Sequence, residues 1–296
     1  MRRKIFLVGV GLMTASLSFS QVKKQFSIDD IEDVEKVDLN FNSSSGTCYI
    51  KPHQNADLLK VYGNQDFDNY SHSFDKEVLG STCSVNLSLE DEKSDGFGQS
   101  ISYRVFGSSN EGSDKLWKVF LSEDKRYDLN LKYGVGMADI DLSGLSIDKL
   151  KINTGSADIN IGYKSEDGNQ VQMDTFKVEV DMGTVNVERL NMTQAKHVVA
   201  DIGFGNLSLD FSDKPQVKSD IIGSVGAGSL LIVLPEEDTP VIVKVNDSWL
   251  CRVKLTKSFK RKGRNTYVNK AYDEDADNLL SFDLDVSMGT IVFQEK

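Results

Sequence analysis

The sequence predicts an all-β protein, a single-chain β-solenoid with little helix. Three observations predict it. β-Branched and aromatic residues alternate with Asp, Asn, Ser and Lys along most of the chain, as strands with one wet face do. That alternation repeatedly changes parity around a glycine and resumes two residues beyond it. The best helix candidate is a short polar stretch around 191–197, too brief to be stable alone.

The first element is an address. Arg2, Arg3 and Lys4 precede an apolar run over 5–13, and small residues lead to Ser18-Phe19-Ser20. Residues 1–20 therefore read as a secretory signal peptide, with Gln21 as the new N-terminus. The apolar run is well short of the roughly 20 residues that a spanning helix needs. No later segment is apolar enough to cross a membrane, so no transmembrane segment is expected after cleavage. The expected location is outside the cytoplasm, in the periplasm, at the cell surface or secreted. Removing the leader's three cations takes the net charge from −11 to −14. That balance excludes nucleic acid as an expected partner, because phosphates reward a basic surface.

Residues 21–116 read as an irregular N-terminal β-region, extending the solenoid or lying beside it. One parity change occurs at Gly46, with Val37, Leu39 and Phe41 before it and Cys48 and Ile50 after. Between 57 and 124 the glycines lose their order. The run GSTCSVNLSL (80–89) keeps Cys83, Val85, Leu87 and Leu89 on one face, out of register with the motif. Polar stretches at 90–99 and 107–114 read as exposed loops, and the best boundary lies near 114–117.

Residues 117–296 carry the repeat. Phe176, Val178, Val180 and Met182 precede Gly183, and Val185 and Val187 follow it at the other parity. Gly136, Gly155, Gly205, Gly228 and Gly289 are flanked in the same way, with Phe204 and Met288 among the apolar residues expected to face inward. Side chains alternate faces with period two, so a skipped residue turns the apolar face outward unless the backbone bends there. Glycine tolerates such a bend. The spacings of 19, 28, 22 and 23 residues, then 61, suit stacked coils of strands. An ordinary sandwich or meander with glycine in its turns is the competing architecture.

The run YGVGMADIDLSGLSIDKLKINTGSADINI (133–161) resembles the toast-rack domain. That is a β-solenoid family shared by bacterial adhesin-like proteins and LiaF-like cell-wall stress-response proteins. The runs at 201–212, 224–245 and 285–294 fit it as well, with a weaker echo at 34–52. The resemblance covers about 117–294 and implies a non-enzymatic protein of the cell envelope. Its motif is structural, so it speaks to fold more than to activity.

The residues offer little chemistry. Cys48, Cys83 and Cys251 are an odd set, so at least one thiol is unpaired; Cys48 and Cys83 are either bridged or small buried hydrophobes. His53, His72 and His197 are far apart, and none has a metal-ligand partner at helical spacing. GSVGAG (223–228) has the look of a phosphate loop, but a strand-like SLLIVLP follows it where a helix and a Lys are needed. Acids three and five residues past the corner glycines (Asp139, Asp141, Asp158, Glu188, Asp210, interleaved with Asn160, Asn186 and Ser208) would stack as an outer ladder. Calcium wants six to eight oxygens, yet Asn and Ser dilute the charge, and a solvated face is the expected reading. Lys257, Lys260, Arg261, Lys262, Arg264 and Lys270 form a basic cluster in an acidic chain. It suits an anionic glycan or phospholipid headgroups, or is a solvated hairpin balanced by the acidic DEDAD (273–277).

No catalytic, cofactor-binding or metal-ligating residue is assigned, and no cofactor is expected. The expected function is that of an exported, non-enzymatic surface scaffold or adhesin-like binding module, its partner an envelope protein or a surface glycan. A regulatory module of an envelope-stress response is the second reading. A carbohydrate-active enzyme on a β-helix is the third, and it requires an acid–base cleft.

Overall fold

Strands form where the alternation runs, and they stack in parallel with their apolar residues facing one interior. The computed structural model describes residues 23–54, 57–64, 71–90 and 115–296. The signal-peptide reading of 1–20 and the loop expected at 107–114 lie outside the described residues, as does that expected at 90–99 apart from Glu90, which is in a strand. The first strands are β1 (Lys23–Ile28), β2 (Lys36–His53), β3 (Leu59–Gly63), β4 (Ser71–Leu79), β5 (Thr82–Glu90) and β6 (Leu116–Ser122). The long β7 (Arg126–Asp141) and β8 (Ser146–Gly162) follow. Shorter pairs come next: β9 (Thr175–Val180) with β10 (Thr184–Glu188), β11 (His197–Ile202) with β12 (Asn206–Asp210), and β13 (Ser219–Val225) with β14 (Ser229–Leu234). The chain ends in β15 (Val241–Asp247), β16 (Arg252–Lys254), β17 (Lys260–Arg261), β18 (Thr266–Val268), β19 (Leu280–Val286) and β20 (Thr290–Glu295). Among the described residues a 3-10 turn, Leu190–Thr193, overlaps the start of the polar stretch at 191–197.

β2, β7 and β8 each pass through a corner, so one strand serves two sheets. The first sheet runs β5, β2, β7, β8, β9, β11, β13, β19, β15, all parallel. The second runs β6, β2, β7, β8, β10, β12, β14, β20, β16, also parallel. Together they make nine rungs of a β-solenoid, and the sandwich alternative is set aside.

Chain order and rung order part company at both ends. β2 lies between β7 and the later β5/β6 pair, and β19/β20 lies between β13/β14 and the earlier β15/β16. The closing run DVSMGTIVFQ is therefore the penultimate rung. Antiparallel strands cover three of the four terminal half-rungs, β4 on β5, β3 on β6, and β18 on β15, while among the described residues the short β16 pairs with β20 alone. An open end rung would template pairing with another chain, and such covers prevent it. GSTCSVNLSL is an ordinary half-rung, in register from Val37 opposite Cys83 to Ser43 opposite Leu89. Its apparent misfit arises because Gly80 (φ 61°) turns the β4–β5 hairpin and makes no corner.

The corners correct two expectations. Gly46, Gly136, Gly183, Gly205, Gly228 and Gly289 do form one column along the stack, but Gly155 lies two residues before it and Ala157 takes the position. Moreover, Met182, Phe204 and Met288 point outward, at 40%, 75% and 59% exposure. Two consecutive residues face solvent at each bend, so the parity changes before the glycine, which itself points inward. Only Gly46 and Gly136 hold a positive φ in this column, at 111° and 122°. At Gly205 and Gly289 the need is for space, because a Cβ would sit 2.5 Å from the carbonyl oxygen of the rung beside it.

One core runs through all rungs. Phe211, Phe282 and Phe293 meet edge to face with ring centroids 5.5 Å apart at each contact, a geometry worth about 1 kcal/mol beyond burial. On the third side, irregular loops connect the rungs, and buried Asn side chains stand in for strand pairing. Asn169 accepts from the Ile147 N–H at 2.8 Å and donates to the carbonyls of Ile147 and Val171 at 2.8 and 2.7 Å. Asn269 repeats the device, accepting from Val241 and donating to Thr239.

Candidate functional site

The third side carries a cleft of about 510 Å³ lined by Glu166, Asn169, Arg189, Gln194, Asp213 and Lys214 among others. Arg189 and Gln194 bracket the 3-10 turn and both hold positive φ, 56° and 52°, which non-glycine residues seldom adopt. Asn191 at 8% exposure anchors that turn by donating to the Phe211 carbonyl at 2.6 Å. Arg189 reaches Glu166 and Asp213, each at 3.0 Å, and donates to the Ser165 carbonyl at 2.8 Å. Its hydrogen bonds to Glu166 and Asp213 push its pKa up, so the guanidinium stays charged. Three of its five N–H donors are thus committed to the protein. The cleft offers amides and an ion-pair network, which suits a polar ligand.

The expected acidic ladder is only partly assembled. Asp139, Asn160, Asn186 and Ser208 do lie side by side. Asp158 does not join them, because the corner falls at Ala157 and places Asp158 beside Met137 and Thr184. Asn186 donates to Asn160 at 2.9 Å, Asp139 pairs with Lys164, and Asp141 and Asp210 accept from the backbone of Ser143 and Ser212. These oxygens are spent on local bonds. Among the described residues, no three His, Cys, Asp or Glu side chains are grouped as metal ligands.

The first sheet's outer face has the same character. Asn130 donates to Asn40, and Asn40 to Asn86, at 2.9 and 3.1 Å. Glu179 receives Lys177 at 2.6 Å, Asn153 at 2.7 Å and Lys151 at 3.3 Å. Burial pushes its pKa up, but those hydrogen bonds outweigh burial and bring it to about 2.

The basic cluster sits at the C-terminal end of the stack. Lys260 and Arg261 form β17, and Lys262 and Arg264 form the turn into β18. Lys257 precedes the hairpin and Lys270 follows it; all six cations are exposed. The solvated-hairpin reading is right about its shape, but among the described residues no ion pair joins it to DEDAD. Lys262 instead lies 4.3 Å from the Tyr272 ring centroid. Beside the hairpin, the corner of the end rung exposes Trp249 and Leu250 at 91% and 51%. Alternation from Val241, Val243 and Val245 would carry Trp249 inward, so parity alone missed it. The break in that alternation at SWLC was the available signal.

The remaining candidates are structural. All three cysteines are free; Cys48 and Cys83 are buried, and burial pushes the Cys48 thiol up to about 12 against an opposing contact from Tyr133. Desolvation and Lys60 lower the pKa of His53. GSVGAG runs from β13 through a corner into β14, so it opens a strand where a phosphate loop opens a helix.

A family model described as the N-terminal domain of toast_rack, DUF2154, matches residues 18–188. It includes the N-terminal region and stops at the end of β10. No curated protein matches this chain. Among solved structures, a Clostridium sporogenes protein named for cell adhesion is 17% identical, with 93% of this chain and 100% of that one covered and a TM-score of 0.44. A Parabacteroides distasonis protein named for lipid binding is 11% identical, with 93% and 94% covered and a TM-score of 0.36.

Proposed function

We propose that this chain, which belongs to the toast-rack family, is an exported, non-enzymatic scaffold of the cell envelope that holds a binding surface at one end of a stiff stack. The observation that carries this reading is the segregation of charge. The chain is at −11 overall, yet residues 249–270 hold eight exposed cations and no acid, whereas elsewhere exposed cations such as Lys132, Lys149 and Lys218 are interspersed with acids and the sheet faces bond among themselves. Nine rungs at about 4.8 Å each form a short rod with one continuous core, and a rod presents its end at a defined distance. The partner is an envelope protein or an anionic envelope surface that meets this end. The basic leader at 2–4 and the apolar run after it direct export.

Cell fractionation with N-terminal sequencing tests the location. The expected result is a protein beginning at Gln21 in the envelope or extracellular fraction. Full-length protein in the cytoplasm would overturn the proposal. Cross-linking in intact cells tests the end, with the native chain and a Lys260→Glu/Arg261→Glu/Arg264→Glu variant compared. Partners shared equally by both would place the binding surface elsewhere.

A further inference from the structure

We infer that the C-terminal end of the solenoid docks on an anionic lipid bilayer, with Trp249 and Leu250 as the inserting tip and the β16–β18 segment as the electrostatic anchor. The inference rests on the envelope reading above and names the surface that this end meets. The end rung turns its corner through 248–251, one residue longer than the 287–289 corner beside it. The longer turn throws Trp249 and Leu250 into solvent. β16 then carries Arg252 and Lys254, both exposed. Residues 255–259 cross the end of the core, where Leu255 and Phe259 pack inward and the Phe259 ring meets Phe293 at 6.1 Å. Lys257 is left facing outward on that crossing, and the hairpin adds Lys260, Arg261, Lys262 and Arg264.

From Trp249 to Lys270 there are eight cations and no acid, and all eight are exposed. Among the described residues none of them is in an ion pair. Asp247, Glu295 and the acids that begin at Asp273, next to the Tyr272 ring that Lys262 contacts, border the patch, and Glu295 accepts from Ser258. Two properties therefore coincide on one end: an unpaired positive field and a large bare apolar tip. A dissolved polyanion satisfies the first and does nothing for the second. A bilayer with anionic headgroups satisfies both, because indole and Leu enter the interfacial layer while Lys and Arg stay at headgroup level. The apolar ridge continues down the same corner through Met288 and, two rungs further, Phe204. The acidic flanks lie along the stack, where repulsion is screened beyond about 8 Å at physiological salt.

The full exported chain supplies its own reporter. Trp117 is fully buried and Trp249 is nearly bare, so aqueous acrylamide quenches Trp249 selectively. The probes are phosphatidylglycerol-rich vesicles, phosphatidylcholine vesicles and soluble polygalacturonate. The expected result is a blue shift and loss of quenching with phosphatidylglycerol alone, reversed by high salt. In co-sedimentation, the Lys260→Glu/Arg261→Glu/Arg264→Glu variant should lose about a hundredfold in partitioning and Trp249→Ala about tenfold, with unchanged thermal unfolding. No protection by phosphatidylglycerol, or equal protection by phosphatidylcholine, would overturn the inference. So would Trp249→Ala binding vesicles as the native chain does, or polygalacturonate protecting Trp249 as well as vesicles do. Envelope fractionation without vesicle binding sinks this inference alone, whereas a cytoplasmic location sinks the reading beneath it.

Discussion

The carbonyl oxygen of Gly183 accepts from the Asn206 N–H at 2.9 Å and lies only 2.5 Å from where a Cβ on Gly205 would stand. The two rungs meet so closely at this corner that any side chain must push them apart. Gly205→Ala should therefore cost about 3 kcal/mol or more, read as a lowered urea midpoint. Gly263→Ala, with its nearest neighbour at 3.6 Å, should change the midpoint by less than about 0.5 kcal/mol. Equal effects at the two sites would refute the close-approach account.

Asn169 is 2% exposed and ties three backbone groups of neighbouring segments together. Asn169→Leu keeps the volume and strands those groups without partners. A loss of about 2–4 kcal/mol is expected in chemical unfolding. Amide exchange should rise at Ile147, whose N–H the carboxamide serves. A near-neutral Leu substitution would show that water replaces the bracket.

Acid should weaken the first sheet through Glu179. Its folded pKa of about 2 lies below the ordinary 4.5. The stabilisation is therefore complete above pH 4.5 and is lost as pH falls from there toward 2. With the side chain 22% exposed, solvent screening leaves on the order of 1–2 kcal/mol. Glu179→Gln should remove that part of the acid limb and lower stability at neutral pH. An identical pH profile in the variant would contradict the assignment.

Thiol titration should separate the three cysteines. Cys48 and Cys83 are buried, and burial raises both thiols, Cys48 to about 12. The native protein at neutral pH is expected to react with a thiol-specific disulfide reagent only at Cys251, and at all three positions in denaturant. Mass spectrometry locates the label. Rapid labelling of Cys48 in the native state would contradict its packing against Tyr133.

Much of the architecture was legible because burial in a strand has period two. The inward residues of β9, Phe176, Val178 and Val180, are those that alternation selects. What misled was the glycine itself. Gly155 is a glycine in a strand near a corner, yet Ala157 holds the column, because an Ala side chain fits that one rung. Hydrophobicity places Phe204 and Met288 inward, because it says nothing about a bend that faces two successive residues to water. The cleft at Arg189 had no linear signal at all: Glu166, Arg189 and Asp213 lie on three successive loops and meet only once rungs stack.

By itself the sequence determined the strands, their one-sided faces and the basic run near the end, because these follow from residue chemistry at short range. Tertiary structure decided which rung sits beside which, so that β19 and β20 slip between β13/β14 and β15/β16. It also decided that Trp249 stands outside, next to the cations. Rung order is chosen by long-range backbone pairing and by how each end hides its unpaired edge, and neither leaves a periodic mark in the chain.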